Sequence, residues 1–222
     1  CLEGIQLLEE RKGMYPEVTY VYVSPMKRCV QTAEIIYPEM MKAGAYSCNE
    51  KLRECDFGLF ENHNYIELSG CSEYQAWIDS GGKLPFPEGE SREAFIRRTL
   101  EGFREVVRDA QAHDREKIAV VAHGGTIMSI MDRYARDENG QPDGSYYDYQ
   151  VKNGEGYELI IADVSSGVSI GGQLYFRNVP CLLSNRLFLA SIPNLLLIFK
   201  FCFSYHFFSE VKSFSAANID CR

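Results

Sequence analysis

Apolar positions along the chain follow two spacings. Continuous runs of strand length stand at 18–23 (Val-Thr-Tyr-Val-Tyr-Val) and 117–122 (Lys-Ile-Ala-Val-Val-Ala), a pattern that suits central strands of a parallel sheet buried on both faces. Helical spacing appears over 2–12, where Ile5, Leu7 and Leu8 precede Gly13 and Pro16. It recurs over 92–112, where Phe95, Ile96, Leu100, Phe103, Val106 and Val107 form an apolar stripe behind Ser91 as N-cap. Each buried-type strand leads straight into a helix. Ser24-Pro25 predicts one start, with Ser24 as N-cap, Pro25 at the first helical position and Arg28 in the first turn. At the other, His123-Gly124-Gly125 makes a turn that lets backbone approach a ligand, and 126–134 keeps helical periodicity. Between these units we expect a strand near 52–57, short helices at 65–68 and 74–79, and a turn-rich stretch at 81–89; after a polar loop at 136–144, residues 157–163 read as a further strand. The alternation predicts a three-layer α/β/α sandwich with a largely parallel sheet and a ligand site at the carboxyl ends of its strands.

Composition narrows the function. The 222 residues carry a net charge of −8, which argues against a dedicated nucleic-acid binder, and 45% hydrophobic with 24% charged residues excludes disorder of the whole chain. The eight cysteines, at 1, 29, 48, 55, 71, 181, 202 and 221, form no C-x-x-C pair. With no visible signal peptide, reduced thiols in the cytoplasm are expected. The four histidines (63, 113, 123 and 206) are scattered and no H-E-x-x-H occurs, so no metal cage and no cofactor are expected. There is also no G-x-S-x-G, G-x-G-x-x-G or G-x-x-x-x-G-K-[ST], which removes serine esterases and the common nucleotide folds.

Arg28, Glu54 and His123 each stand at or just past a predicted strand end. A guanidinium in the first turn of a helix suits an oxyanion, and an imidazole beside a glycine turn suits the same ligand. Taken singly, each also fits a bland reading: Arg28 as a solvated helix residue, Glu54 as a surface carboxylate, His123 as a hydrogen-bonded strand-end histidine.

Their contexts settle the matter differently. Ser24-Pro25-Met26-Lys27-Arg28 with Gln31-Thr32-Ala33-Glu34, then Leu52-Arg53-Glu54 with Asp56-Phe57-Gly58, then Gly89-Glu90-Ser91, then Val121-Ala122-His123-Gly124-Gly125 resemble, in order and spacing, the histidine phosphatase superfamily over about residues 2–163. Within it the chain is similar to α-ribazole phosphatase-like and phosphoglycerate-mutase-like small bacterial phosphatases. The resemblance implies a phosphoglycerate-mutase-like fold and metal-independent hydrolysis of a small phosphorylated metabolite through a phosphohistidine. It also implies roles: Arg28, His123 and Gly124 around the phosphate, and Glu54 as general acid/base on the leaving oxygen. The family's nucleophile lies in an Arg-His-Gly motif, which occurs nowhere in the 222 residues, so the chain as given is expected to be inactive. Cys1 in place of Met reads as the start of a fragment. A noncatalytic phosphate-binding remnant and a phosphoglycerate-type mutase are the alternatives, the mutase needing a second phosphate site that no motif supplies. Phe60-Glu61-Asn62 departs from the family's usual Trp-Glu-Gly. Specificity is expected in 62–89, where Tyr65 and Trp77 either line the substrate side or pack a helical cap.

The domain is expected to span 1–172, with 173–222 an atypical hydrophobic extension. Arg186, Lys200 and Pro193-Asn194 interrupt the apolar stretch within 182–208, so a membrane anchor there is not favoured.

Overall fold

A computed structural model describes residues 2–135, 141, 142, 144–161, 174–178 and 195–200. Cys1, His206, the boundary at Gly172 and parts of the 136–144 loop and of 182–208 lie outside the described residues. The described parts of Cys1–Glu54 and Ile96–Phe203 pack as one compact unit, and Cys55–Phe95 as a second.

In the larger unit, helix α1 (Leu2–Arg11) leads to strand β1 (Tyr20–Val23), helices α2 (Lys27–Ile36) and α3 (Pro38–Lys42), and strand β2 (Tyr46–Cys48). Helix α6 (Arg92–Ala112), whose first turn falls in the second unit, then precedes β3 (Lys117–Ala122), α7 (Gly124–Tyr134), β4 (Glu155–Ile161), β5 (Leu174–Asn178) and β6 (Leu195–Lys200). Helices α4 (Tyr65–Leu68) and α5 (Ser72–Asp79) belong to the second unit. The sheet order is β2-β1-β3-β6-β4-β5; β1 is parallel to β2 and β3, β6 is parallel to β3, and β4 is antiparallel to both β6 and β5.

Side-chain alternation along β1 and β3 builds two cores. Val21, Val23, Ala119 and Val121 pack with Leu8 of α1 and Cys29, Ala33 and Ile36 of α2. Tyr22, Ile118, Val120 and Ala122 point the other way, against Phe103, Val106 and Val107 of α6 and Ile127 and Met131 of α7. The largely parallel three-layer arrangement is therefore present, with both faces of β1 and β3 covered.

Three details differ from expectation. Helix α2 begins at Lys27 with Met26 as N-cap, while the Ser24 hydroxyl lies 2.7 Å from His123 Nε2 and accepts from the Met26 N–H at 3.5 Å. The expected strand at 52–57 is instead a 3₁₀ turn, Glu50–Leu52, followed by irregular chain, and the strand is β2 just before it. Asn49 starts that turn by accepting from the Lys51 N–H at 2.8 Å. Finally, the backbone of β5 and β6 lies in the sheet, although both fall within the stretch set apart as an extension. Leu-Leu-Leu-Ile-Phe between Pro193-Asn194 and Lys200 has the length and composition of a doubly buried strand, a reading that apolarity alone does not separate from an anchor. No helix among the described residues is long and apolar enough to cross a membrane.

Candidate functional site

His123 follows β3 directly. Because Ala119 and Val121 face α2, the next position in the alternation aims His123 at the first turn of α2. Its ring is fully buried and bonded at both nitrogens: Nε2 lies 2.7 Å from Ser24 Oγ, and Arg28 Nε donates to Nδ1 at 3.2 Å. A guanidinium can only donate, so Nδ1 carries the lone pair and the proton sits on Nε2, directed at Ser24. The Cys29 thiol closes the cluster, with Sγ 3.5 Å from Nε2. Burial, and then the charges of Arg28 and Arg98, push the imidazole pKa well below its ordinary value, so the ring is neutral at pH 7. Gly124, the next residue, is buried and opens α7, whose first N–H groups and dipole end lie beside the imidazole. Arg28 and His123 are thus in contact, with Gly124 next to His123 in the chain.

Glu54 is held through its backbone. Arg98 of α6 donates from Nη1 to the carbonyls of Lys51 and Arg53, both at 3.1 Å, and from Nη2 to the Glu54 carbonyl at 3.2 Å. The remaining carbonyl of the run, Leu52 O, accepts from the buried Thr126 hydroxyl of α7 at 3.3 Å. Four consecutive carbonyls are therefore taken by helix side chains and are not offered to a neighbouring strand, which is why 52–57 does not join the sheet. Lower on the same side of α6, Lys51 pairs with Glu101 and Glu105, and Gly102 leaves room for the Lys51 stem.

Sequence reasoning missed Arg98 and Thr126, and read Ser24 only as a cap. One signal was present: Gly102 inside a long helix marks a close approach of another segment, and Arg98 stands one turn before it.

The histidine phosphatase superfamily (branch 1) profile matches residues 6–163, most of the 222. The chain belongs to the histidine phosphatase superfamily. "Putative phosphoserine phosphatase 2" of Hydrogenobacter thermophilus is 28% identical over 123 residues, covering 54% of this chain and 58% of its own length. Phosphoglycerate mutase-like protein 4 of Arabidopsis thaliana is 29% identical over 131 residues, covering 58% of this chain and 55% of its own. The chain thus spans just over half the length of the curated relatives it matches. The crystal structure of the α-ribazole phosphatase from Shigella flexneri superposes with a TM-score of 0.64 at 19% identity, over 84% of this chain and 87% of that one, a likeness of fold.

In the second unit, two of the motifs that carry the family resemblance fasten one another. Glu90 Oε2 accepts from the Asp56 N–H at 3.1 Å, and the Glu90 N–H donates to Asp56 O at 2.9 Å. Gly58 (φ 53°) runs against the carbonyl of Pro87 and the backbone of Gly89, where a Cβ would collide. Trp77 is buried, stacked with Phe86 at 5.2 Å and with Tyr74 at 6.4 Å, and so serves the core of this unit. Tyr65, on α4, is exposed. His63 lies near Glu67, and His113 pairs with Asp109 at the end of α6 that leads into the start of β3, away from His123 at its other end.

Proposed function

We propose that this chain is the phosphate-binding and proton-donating part of a cytoplasmic, metal-independent phosphomonoesterase that acts on a small phosphorylated metabolite. The observation that carries this reading is the Arg28–His123 pair, 3.2 Å apart at the carboxyl ends of β1 and β3 and beside the opening of α7, in a chain of this family. The Arg28 guanidinium and the first N–H groups of α7 surround the equatorial oxygens of the phosphoryl group, and His123, once turned from Ser24, donates its Nε2 proton to one of them. In the reaction a histidine nitrogen forms a bond to phosphorus as the ester P–O bond breaks, and Glu54 gives its proton to the departing alkoxide. Water then attacks the phosphorus, the P–N bond breaks to release phosphate and free the histidine, and the water's proton passes to Glu54. The nucleophilic histidine is not supplied by an Arg-His-Gly motif among these 222 residues. The named relatives span phosphoserine, phosphoglycerate and α-ribazole chemistry, and what they share is the phosphate monoester. Residues 1–172 carry every proposed site residue.

Titration of the full chain with inorganic phosphate, followed by the His123 imidazole resonances, tests this reading. Binding that is lost in Arg28→Ala supports it, and no perturbation of His123 in the wild-type chain would overturn it. A noncatalytic phosphate binder is the second reading, favoured by the neutral, doubly bonded state of His123. Little turnover of p-nitrophenyl phosphate alongside phosphate binding supports that reading for the chain as given. Robust turnover abolished by His123→Ala would refute it.

A further inference from the structure

We infer that Arg98 and Thr126 are positioning residues for Glu54, acting through the backbone of 51–54 to fix where its side chain leaves the chain. The inference rests on the phosphatase reading above and adds to it the device that aims the proton donor.

The sheet fixes where this run starts, through the Asn49 N–H that donates to Val23 O at 3.0 Å, but among the described residues 51–54 pair with no strand. Their direction is set by donors from two helices. Arg98 spends both hydrogens of Nη1 on Lys51 O and Arg53 O, and one of Nη2 on Glu54 O, a triple contact that requires a planar fork. Thr126 supplies the fourth donor, to Leu52 O, from a position three residues past His123 on the helix that His123 opens. The loop of the proposed acid is therefore tied to the helix that carries the proposed phosphate site. Any shift of α7 that moves His123 and Gly124 carries Leu52 with it, and Glu54 follows two residues on. The charge of Arg98 also helps, after burial and Arg28, to hold the His123 imidazole below its ordinary pKa.

A lysine at 98 keeps the charge but presents a single ammonium on a flexible stem, which cannot hold three carbonyls in one plane. The test uses the full chain with glutamate labelled at its side-chain carboxyl carbon and inorganic phosphate as the probe, following Glu54 and His123 separately by NMR. In the wild-type chain phosphate shifts both signals. In Arg98→Lys the His123 response persists, with phosphate affinity within about threefold, while the Glu54 response collapses. Backbone amides of 52–56 exchange about tenfold faster in that variant, the size expected for losing roughly one net hydrogen bond. Thr126→Val, nearly isosteric, gives a smaller change of the same kind and serves where Arg98→Lys folds poorly. A purely structural role would move both signals together or neither. Equal Glu54 responses in wild type and in both variants would overturn the inference and leave the phosphate site standing. Absence of any phosphate response in the wild-type chain would overturn the phosphate site and this inference with it.

Discussion

Placing a neutral histidine at a fully buried position makes the fold acid-sensitive in a defined window. His123 is 0% exposed, its Nε2–H is given to Ser24, and its Nδ1 accepts from Arg28. Protonating Nδ1 would set an N–H against the Arg28 guanidinium and leave a buried cation with no counter-charge among its bonded partners. Burial and the neighbouring arginine charges therefore depress the folded-state pKa far below that of the unfolded chain, near 6.5. For a base whose folded pKa is depressed, stability is full above the unfolded pKa and falls as pH drops below it, since only the unfolded chain takes up the proton. One such proton is worth about 1.4 kcal/mol per pH unit, so between pH 7 and pH 5 the wild-type chain should lose about 2 kcal/mol through this group. His123→Gln removes the titration while keeping one amide donor and one acceptor in the cluster. Urea unfolding of both proteins at pH 7 and pH 5 measures the difference. The wild-type chain should fall by about 2 kcal/mol more than the variant. Parallel losses would refute the neutral, closed-in state of the imidazole. A two-bond nitrogen–proton correlation spectrum supplies the independent check, since it should show the proton on Nε2.

Gly58→Ala should destabilise the second unit by about 3 kcal/mol or more, because it adds a left-handed backbone penalty to a collision with the Pro87 carbonyl, and a urea midpoint within error of wild type would show that the clasp can open. Trp77→Ala should cost about 3–5 kcal/mol and Tyr65→Ala less than about 0.5 kcal/mol in the same assay. Equal costs would mean that the aromatic stack around Phe86 is not the core of that unit. A chain ending at Gly172 should unfold at lower temperature than the full chain, since among the described residues β4 and β5 join the sheet through β6. An unchanged midpoint would return 173–222 to the standing of an extension that the domain does not need.

What could be read from the letters follows from where each element finds its partners. Lys117–Ala122 and Arg92–Ala112 were legible to the residue because their signals are local: a continuous buried run for the strand, and a capped apolar stripe for the helix. Arg28 and His123 were legible as site candidates for a related reason. A strand end running into a helix start is a local pattern, and parallel pairing of β1 with β3 then brings two such ends side by side. The course of 52–57 was not legible, because its mix of apolar and charged residues suits a strand end facing a cleft while the donors to its carbonyls, Arg98 and Thr126, stand far along the chain. The placement of 195–200 failed for another reason, since an uncharged apolar run specifies burial without naming what buries it.

The same contrast bears on how the site would work. Residues that hold phosphate in the proposed reaction are set by the sheet, whose register admits little play once both faces are packed. The proposed proton donor is set by side-chain donors on irregular backbone, where each bond is worth about 1 kcal/mol and can be lost singly. Anion binding should therefore tolerate substitutions on α6 that proton delivery does not. On the proposed reading Glu54, rather than Arg28 or His123, is therefore the part of the site whose geometry is most exposed to change elsewhere in the chain.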